Sequence, residues 1–225
     1  MRICSSTFQV FAAIVFGSSL SQFNLGQSTN DTSDLESWND VELTYMINQS
    51  FDINTIITAR LDEKVTRFGS RRFTMGVTAK PATSFSISPF ITFISGRDSH
   101  GNFRYEYRTG IGARYRFPFR SVNLTHRSQI EHRSRPGNNS WRYRPSIRLE
   151  KQIPESLSKG TSVFLVEEPF YDSASGRFSR NRLSIGIGKD LSERSKLEVY
   201  YLFQGDDHST PGSVHVLGTA LKIRL

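Results

Sequence analysis

The sequence predicts an all-β fold, a single antiparallel up-and-down transmembrane β-barrel of about twelve strands, with ten as the alternative. Three observations predict it. Apolar and polar residues alternate by twos along almost the whole chain, and almost nothing repeats with a helical period. Hydrophobic residues are only 36 % of the chain while aromatics reach 12 %, which suits a sheet with a single apolar face. Within each segment the charged residues take one parity and the apolar residues the other.

The N-terminus reads MRICSSTFQVFAAIVFGSSLSQFN, with Arg2 ahead of a short apolar stretch and small residues near Ser21–Gln22. That is the pattern of a secretory signal peptide. Cys4 precedes the apolar stretch, whereas a lipid-attachment cysteine follows it. The expected plan is a signal peptide at 1–21, a polar segment at 22–36 and a barrel over 37–225. Beyond the leader, no run approaches the roughly 18 apolar residues of a membrane helix, so a membrane role requires a barrel.

The period-two segments then follow in order. The first presents Val41, Leu43, Tyr45 and Ile47 on one side, followed by Ile57, Ala59 and Leu61, then Phe73, Met75, Val77 and Ala79. Phe85, Ile87, Ile91 and Phe93 come next, with Pro89 weakening the pattern. RYEYRTGIGARYRF (104–117) is the clearest, with Tyr, Ile, Ala and Phe on odd positions and Arg, Glu and Gly on even ones. Later segments show Leu124, His126, Ser128 and Ile130; Trp141, Tyr143, Ile147 and Leu149; Leu183, Ile185 and Ile187; Leu197, Val199, Tyr201 and Phe203; and Leu217 to Leu225. SVFLVEEPFY is less regular. Links such as KPATS and DLSERS read as short. Links such as TRFGSRR, RSRPGNNS and GDDHSTPGS read as long, the plan of a barrel with tight turns at one end and loops at the other. This gives about eleven segments, and an even-numbered barrel needs a further strand around Ser33–Trp38, or the loss of the first.

One strand carries the length argument. Tyr105 to Tyr115 is ten steps of about 3.3 Å, which at a tilt of about 40° rises about 25 Å, the height of an apolar membrane band. Tyr105 and Tyr115 then sit at its two edges, with Thr109, Ile111 and Ala113 at lipid depth.

The opposite parity is rich in arginine. The expected lumen-lining residues are Arg104, Glu106, Arg108, Arg114, Arg116, Arg127, Glu131, Arg142, Arg144, Arg148, Glu150, Arg180 and Arg182. Further inward positions fall at Arg60, Arg72, Arg133, Glu42, Asp62 and Glu198. Carboxylates are too few to pair every guanidinium, and the net charge is +8. An interior of this kind is either a filled network or a narrow path that favours anions. Gly110, Gly112, Gly186 and Gly188 would leave space beside the arginines. Nucleic acid is excluded as a partner, since the basic groups are enclosed. The expected partners are outer-membrane lipid and small anionic solutes.

The order RSQIEHR (127–133), WRYRPSIRLEK (141–151), VEEPFY (166–171) and FSRNRLSIGIGKDLSERSKLEVYYLFQ (178–204), with Trp38 early, resembles the bacterial family called domain of unknown function 2490. That resemblance implies an envelope β-barrel and adds no activity.

The expected function is an outer-membrane barrel acting as a narrow anion-favouring pore. The alternatives are a closed structural or adhesion barrel, and a lipid hydrolase. The hydrolase rests on His126–Arg127–Ser128, which resembles the His–x–Ser pair of outer-membrane phospholipase A; there the orienting Asn falls at Arg142, which the alternation turns inward. Without an orienting group the pair lacks the third element of acyl-transfer catalysis, so the expectation is no enzyme, with His126 and Ser128 the candidates if there is one. His100, His132, His208 and His215 lack metal-ligand spacing, Asp206–Asp207 reads as a solvated loop tip, and no cofactor motif occurs.

Overall fold

The computed structural model describes residues 33–97, 101–207 and 211–225. The expected leader at 1–21, most of the polar segment and His100 and His208 lie outside the described residues. Eleven strands close into a barrel: β1 (Ser33–Met46), β2 (Phe51–Asp62), β3 (Arg67–Ala82), β4 (Phe85–Arg97), β5 (Phe103–Phe117), β6 (Asn123–Arg135), β7 (Asn138–Gln152), β8 (Thr161–Asp172), β9 (Arg177–Ser192), β10 (Ser195–Asp206) and β11 (Ser213–Arg224). Each pairs antiparallel with its neighbours in sequence, and the barrel closes by a parallel β1–β11 ladder running from Ser33↔Ser213 to Thr44↔Arg224. The described residues contain no helix long and apolar enough to cross a membrane.

The count of eleven is close to the expected twelve. Ser33–Trp38 is not an extra strand: it is the first half of β1, continuous with Val41 and Tyr45, so the barrel begins four residues before the expected boundary at 37. A parallel seam removes the need for an even count, because two strands running the same way can still share a ladder.

The link lengths differ as well. We call the end where β1 begins the N-rim and the end where β11 finishes the C-rim. Stretches expected as long N-rim loops are mostly strand: β3 starts at Arg67 inside TRFGSRR, and β6 and β7 meet through Pro136–Gly137 alone. The longest link, 153–160, lies at the C-rim. Arg67 meets Asp62 at 3.0 Å and Arg133 meets Glu106 at 2.5 Å, so parts of these polar stretches are strand rather than loop.

The outer wall is apolar. Tyr107, Ile111, Ile91, Ile185 and Leu217 each expose half or more of their surface, and aromatic pairs sit near the rims, among them Phe93–Tyr105 at 5.7 Å, Tyr171–Phe178 at 5.6 Å and Tyr115–Phe117 at 5.0 Å. This is the reverse of a water-soluble sheet, and it is the arrangement of a membrane-spanning barrel with two aromatic girdles. Polar side chains on the outer wall find partners on the same wall: Thr219 donates to Asn39 (2.8 Å) and the Tyr201 hydroxyl meets His215 (2.6 Å). Such pairing removes groups that hydrocarbon cannot satisfy.

Prolines mark one weak place. The β7–β8 ladder skips the stretch between Tyr143↔Tyr171 and Ile147↔Glu167, where Pro145 stands across from Pro169. Neither has an N–H to give.

The parallel seam is directly testable. With Cys4 replaced, cysteines introduced together at Ser37 and Leu217, which the register puts side by side, form a disulfide in the folded barrel that neither single variant shows. Non-reducing gels read it, and failure of the pair to cross-link removes the parallel closure.

Candidate functional site

The inward parity of β5 to β10 builds linked groups of charges. Glu106 accepts from Arg108 at 2.8 Å and from Arg133 at 2.5 Å. Arg133 reaches on to Asp172 at 2.9 Å, which Arg142 also holds at 2.7 Å. Glu131 lies between Arg108 (3.2 Å) and Arg144 (2.6 Å) and accepts from Gln129 (2.6 Å). Glu168 gathers Arg144 at 3.0 Å, Arg182 at 3.7 Å and Arg127. Arg180 pairs with Asp206. A second group sits nearer the C-rim, where Glu150 meets Arg148 (2.9 Å) and Lys196 (2.5 Å), and Glu198 meets Arg148 and Lys222, each at 2.9 Å.

Aromatic rings fill the spaces between these pairs. Phe170 has the guanidinium carbons of Arg182, Arg144, Arg142 and Arg180 at 4.6, 4.7, 5.5 and 5.8 Å from its ring centre. Trp38 carries Arg60 at 3.4 Å and Arg182 at 4.7 Å, and its indole N–H donates to Glu36 at 2.5 Å. Arginine on an aromatic face keeps part of its electrostatic stabilisation without a carboxylate, about 0.5–2 kcal/mol for each good contact. Gly110, Gly186 and Gly218 make room for rings, whereas Gly188 makes room for Lys196. A Cβ at Gly110 would run into the Phe90 ring, and one at Gly218 into the Tyr200 ring.

The result is a mid-height interior nearly closed to water. Glu131 is 1 % exposed, Phe170 2 %, Trp38 5 % and Val216 0 %. Toward the C-rim, the β1–β4 wall is lined instead by small groups joined in a chain, Thr44–Asn54–Thr78–Ser88. Arg114 and Arg116 remain exposed there. At the N-rim, Arg133, Arg135, Arg142 and Arg180 with Asp172 and Asp206 line a cavity of about 360 Å³, and Arg104 lines its neighbour beside Glu106.

All thirteen expected lumen residues therefore stand on the inner parity, and ten of them, from Glu106 to Arg182, join the ion-pair network. Arg114 and Arg116 stand exposed at the C-rim mouth, and Arg104 lines the N-rim mouth with contacts of its own. Sequence reading missed Asp172 and Asp206 as partners, and the lumen rings. Asp206 is corrected from a loop tip to a strand-end acid that is 8 % exposed. Its signal was present, since it keeps the parity of Glu198 and Leu202. Among the described residues, no group of three His, Cys, Asp or Glu side chains could hold a metal ion.

His126 and Ser128 are on the outer wall. The ring Nε2 lies 3.0 Å from Ser128 Oγ, which is 3.1 Å from the Tyr143 hydroxyl. No carboxylate or amide side chain among the described residues contacts His126. Arg142, the position of the orienting amide in the resembling hydrolase, points inward to Asp172. The trio reads as cross-strand satisfaction of outward polar groups.

Residues 35–215 match the family described as protein of unknown function (DUF2490). The chain belongs to that family. Membership fits a barrel whose matched span includes β2 to β10 in full. Among solved structures, an anion-selective porin from Comamonas acidovorans is similar at 17 % identity and a TM-score of 0.42, with 80 % of this chain and 56 % of that chain covered. This chain thus spans little more than half of that porin's length. No protein of curated function matches.

The lattice makes a quantitative expectation. Glu131→Ala leaves Arg108 and Arg144 facing each other without their shared acceptor and destabilises the folded barrel by about 3 kcal/mol. Glu155→Ala, in the exposed 153–160 link, stays within about 0.5 kcal/mol of the parent. Urea-unfolding midpoints of the two variants check this, and equal midpoints would show that the lattice does not stabilise the fold.

Proposed function

We propose that the protein is an outer-membrane barrel closed at mid-height by its own arginine–carboxylate–aromatic lattice. In this state it seals its lumen rather than passing solutes. The observation that carries this reading is the exclusion of water from inward side chains on nearly every strand. Trp38, Ile94, Arg108, Glu131, Phe170, Arg182, Leu202 and Val216 are all buried. An open pore of this size would leave such side chains wet. The outer-membrane location is supported by the apolar outer wall, the two aromatic girdles and the all-strand architecture.

A second reading is a narrow anion-favouring pore. It is favoured by guanidinium groups that no described carboxylate neutralises: Arg60, Arg72, Arg114 and Arg116 form no ion pair with a described residue. Fixed positive charge along a low-dielectric wall attracts anions and repels cations.

Planar-bilayer recordings across a potassium chloride gradient separate the two. The closed barrel gives no steady conductance as the native chain, and conducts once Phe170→Ala and Glu168→Ala together loosen the lattice, with a reversal potential on the chloride side. Steady chloride-selective conductance of the native protein would replace the closed reading with the pore. Cation-selective conductance would remove both.

A further inference from the structure

We propose that the lumen holds a small anion at a fixed site centred on Arg72, with Arg60 beside it. Arg72 on β3 and Arg60 on β2 point inward, and the Nε of each is buried with no hydrogen-bond partner. Neither forms an ion pair with any described residue. Arg60 rests on the Trp38 ring at 3.4 Å, which steadies the guanidinium but gives its N–H groups no acceptor. Arg72 has no such ring contact.

The neighbours explain why no side chain serves. Across the ladders Arg72 stands beside Thr58 and Ile94, and Arg60 beside Trp38 and Ser70, none of them acidic. Glu106 already holds Arg108 and Arg133. The two guanidinium groups thus have no acidic partner among the described residues, and the Glu106 carboxylate is committed elsewhere. Charges of like sign gathered in a low-dielectric interior call for a counter-charge, and guanidinium donors are matched to oxyanions. Glu36 and Asp40 stand on β1, on the other side of Arg60 from β3, so the side without acids is the one that holds Arg72. The Arg72 side chain is only half-buried, so its remaining N–H groups stay reachable from lumen water. The ligand class is a small inorganic oxyanion, with the hydroxyls of the Thr74–Thr92 pair (2.8 Å) two residues along β3 from Arg72.

The inference rests on the barrel with a basic interior but not on conduction, so it is tested without current. The folded chain in detergent is titrated with inorganic phosphate at constant ionic strength, using gluconate as the bulky background anion. The unfolding temperature is read from the heat-modifiable gel band, which also shows that the barrel is folded. A ligand bound only by the folded state raises that temperature saturably. The expected result is a saturable rise for the native chain, its loss in Arg72→Gln, and its retention in Arg120→Gln, which alters an exposed link. Should Arg72→Gln not fold, Arg72→Lys serves, and it weakens the titration by keeping the charge without the planar donor pair. No saturable rise in the native chain, or the same rise in the Arg72 variants, overturns the proposal.

Discussion

The structure depends on one constraint: charged side chains placed inside a closed wall must find partners inside that wall. The basic and acidic groups of the lumen are forced inward by strand alternation alone, and the outer face offers them nothing. Their answer is sharing. Glu131 and Glu168 each serve more than one guanidinium, and Phe170 and Trp38 receive the faces that carboxylates cannot reach. The glycines opposite the rings, Gly110 and Gly218, follow from the same need for space.

That sharing is what ties fold to function. Pairs of this kind contribute little as isolated surface contacts. Here they are linked through common acceptors across the neighbouring strands β5, β6, β7, β8 and β9. A cavity remains at the N-rim, and a wall of small hydroxyl and amide groups at the other. The interior is therefore buried at its middle and more accessible at its mouths.

Much of this was legible in the sequence. Period two in RYEYRTGIGARYRF set both faces of β5, and the same parity placed Arg108, Glu131, Arg144 and Arg182 indoors before any coordinates. The strand count was less legible, because Ser33–Trp38 is polar text whose pairing partner, β11, lies at the other end of the chain. Local pattern cannot announce a partner that distant. The same limit hid Asp172 and Asp206: at strand ends, a carboxylate reads as loop until the guanidinium it faces is known. Glu168 was visible as a motif residue, but the two prolines around Pro145 and Pro169 blurred the alternation that would have turned it inward.

The seam between the first and last strands also bears on how the molecule assembles. Every other pairing joins neighbours along the chain and can zip hairpin by hairpin, whereas the Thr219–Asn39 contact bridges 180 positions. Closing so large a loop costs more chain entropy than any local turn. Nascent chains must therefore hold an open, curled ribbon with two bare edges until that last ladder forms, and it is those edges that a folding helper would need to guard.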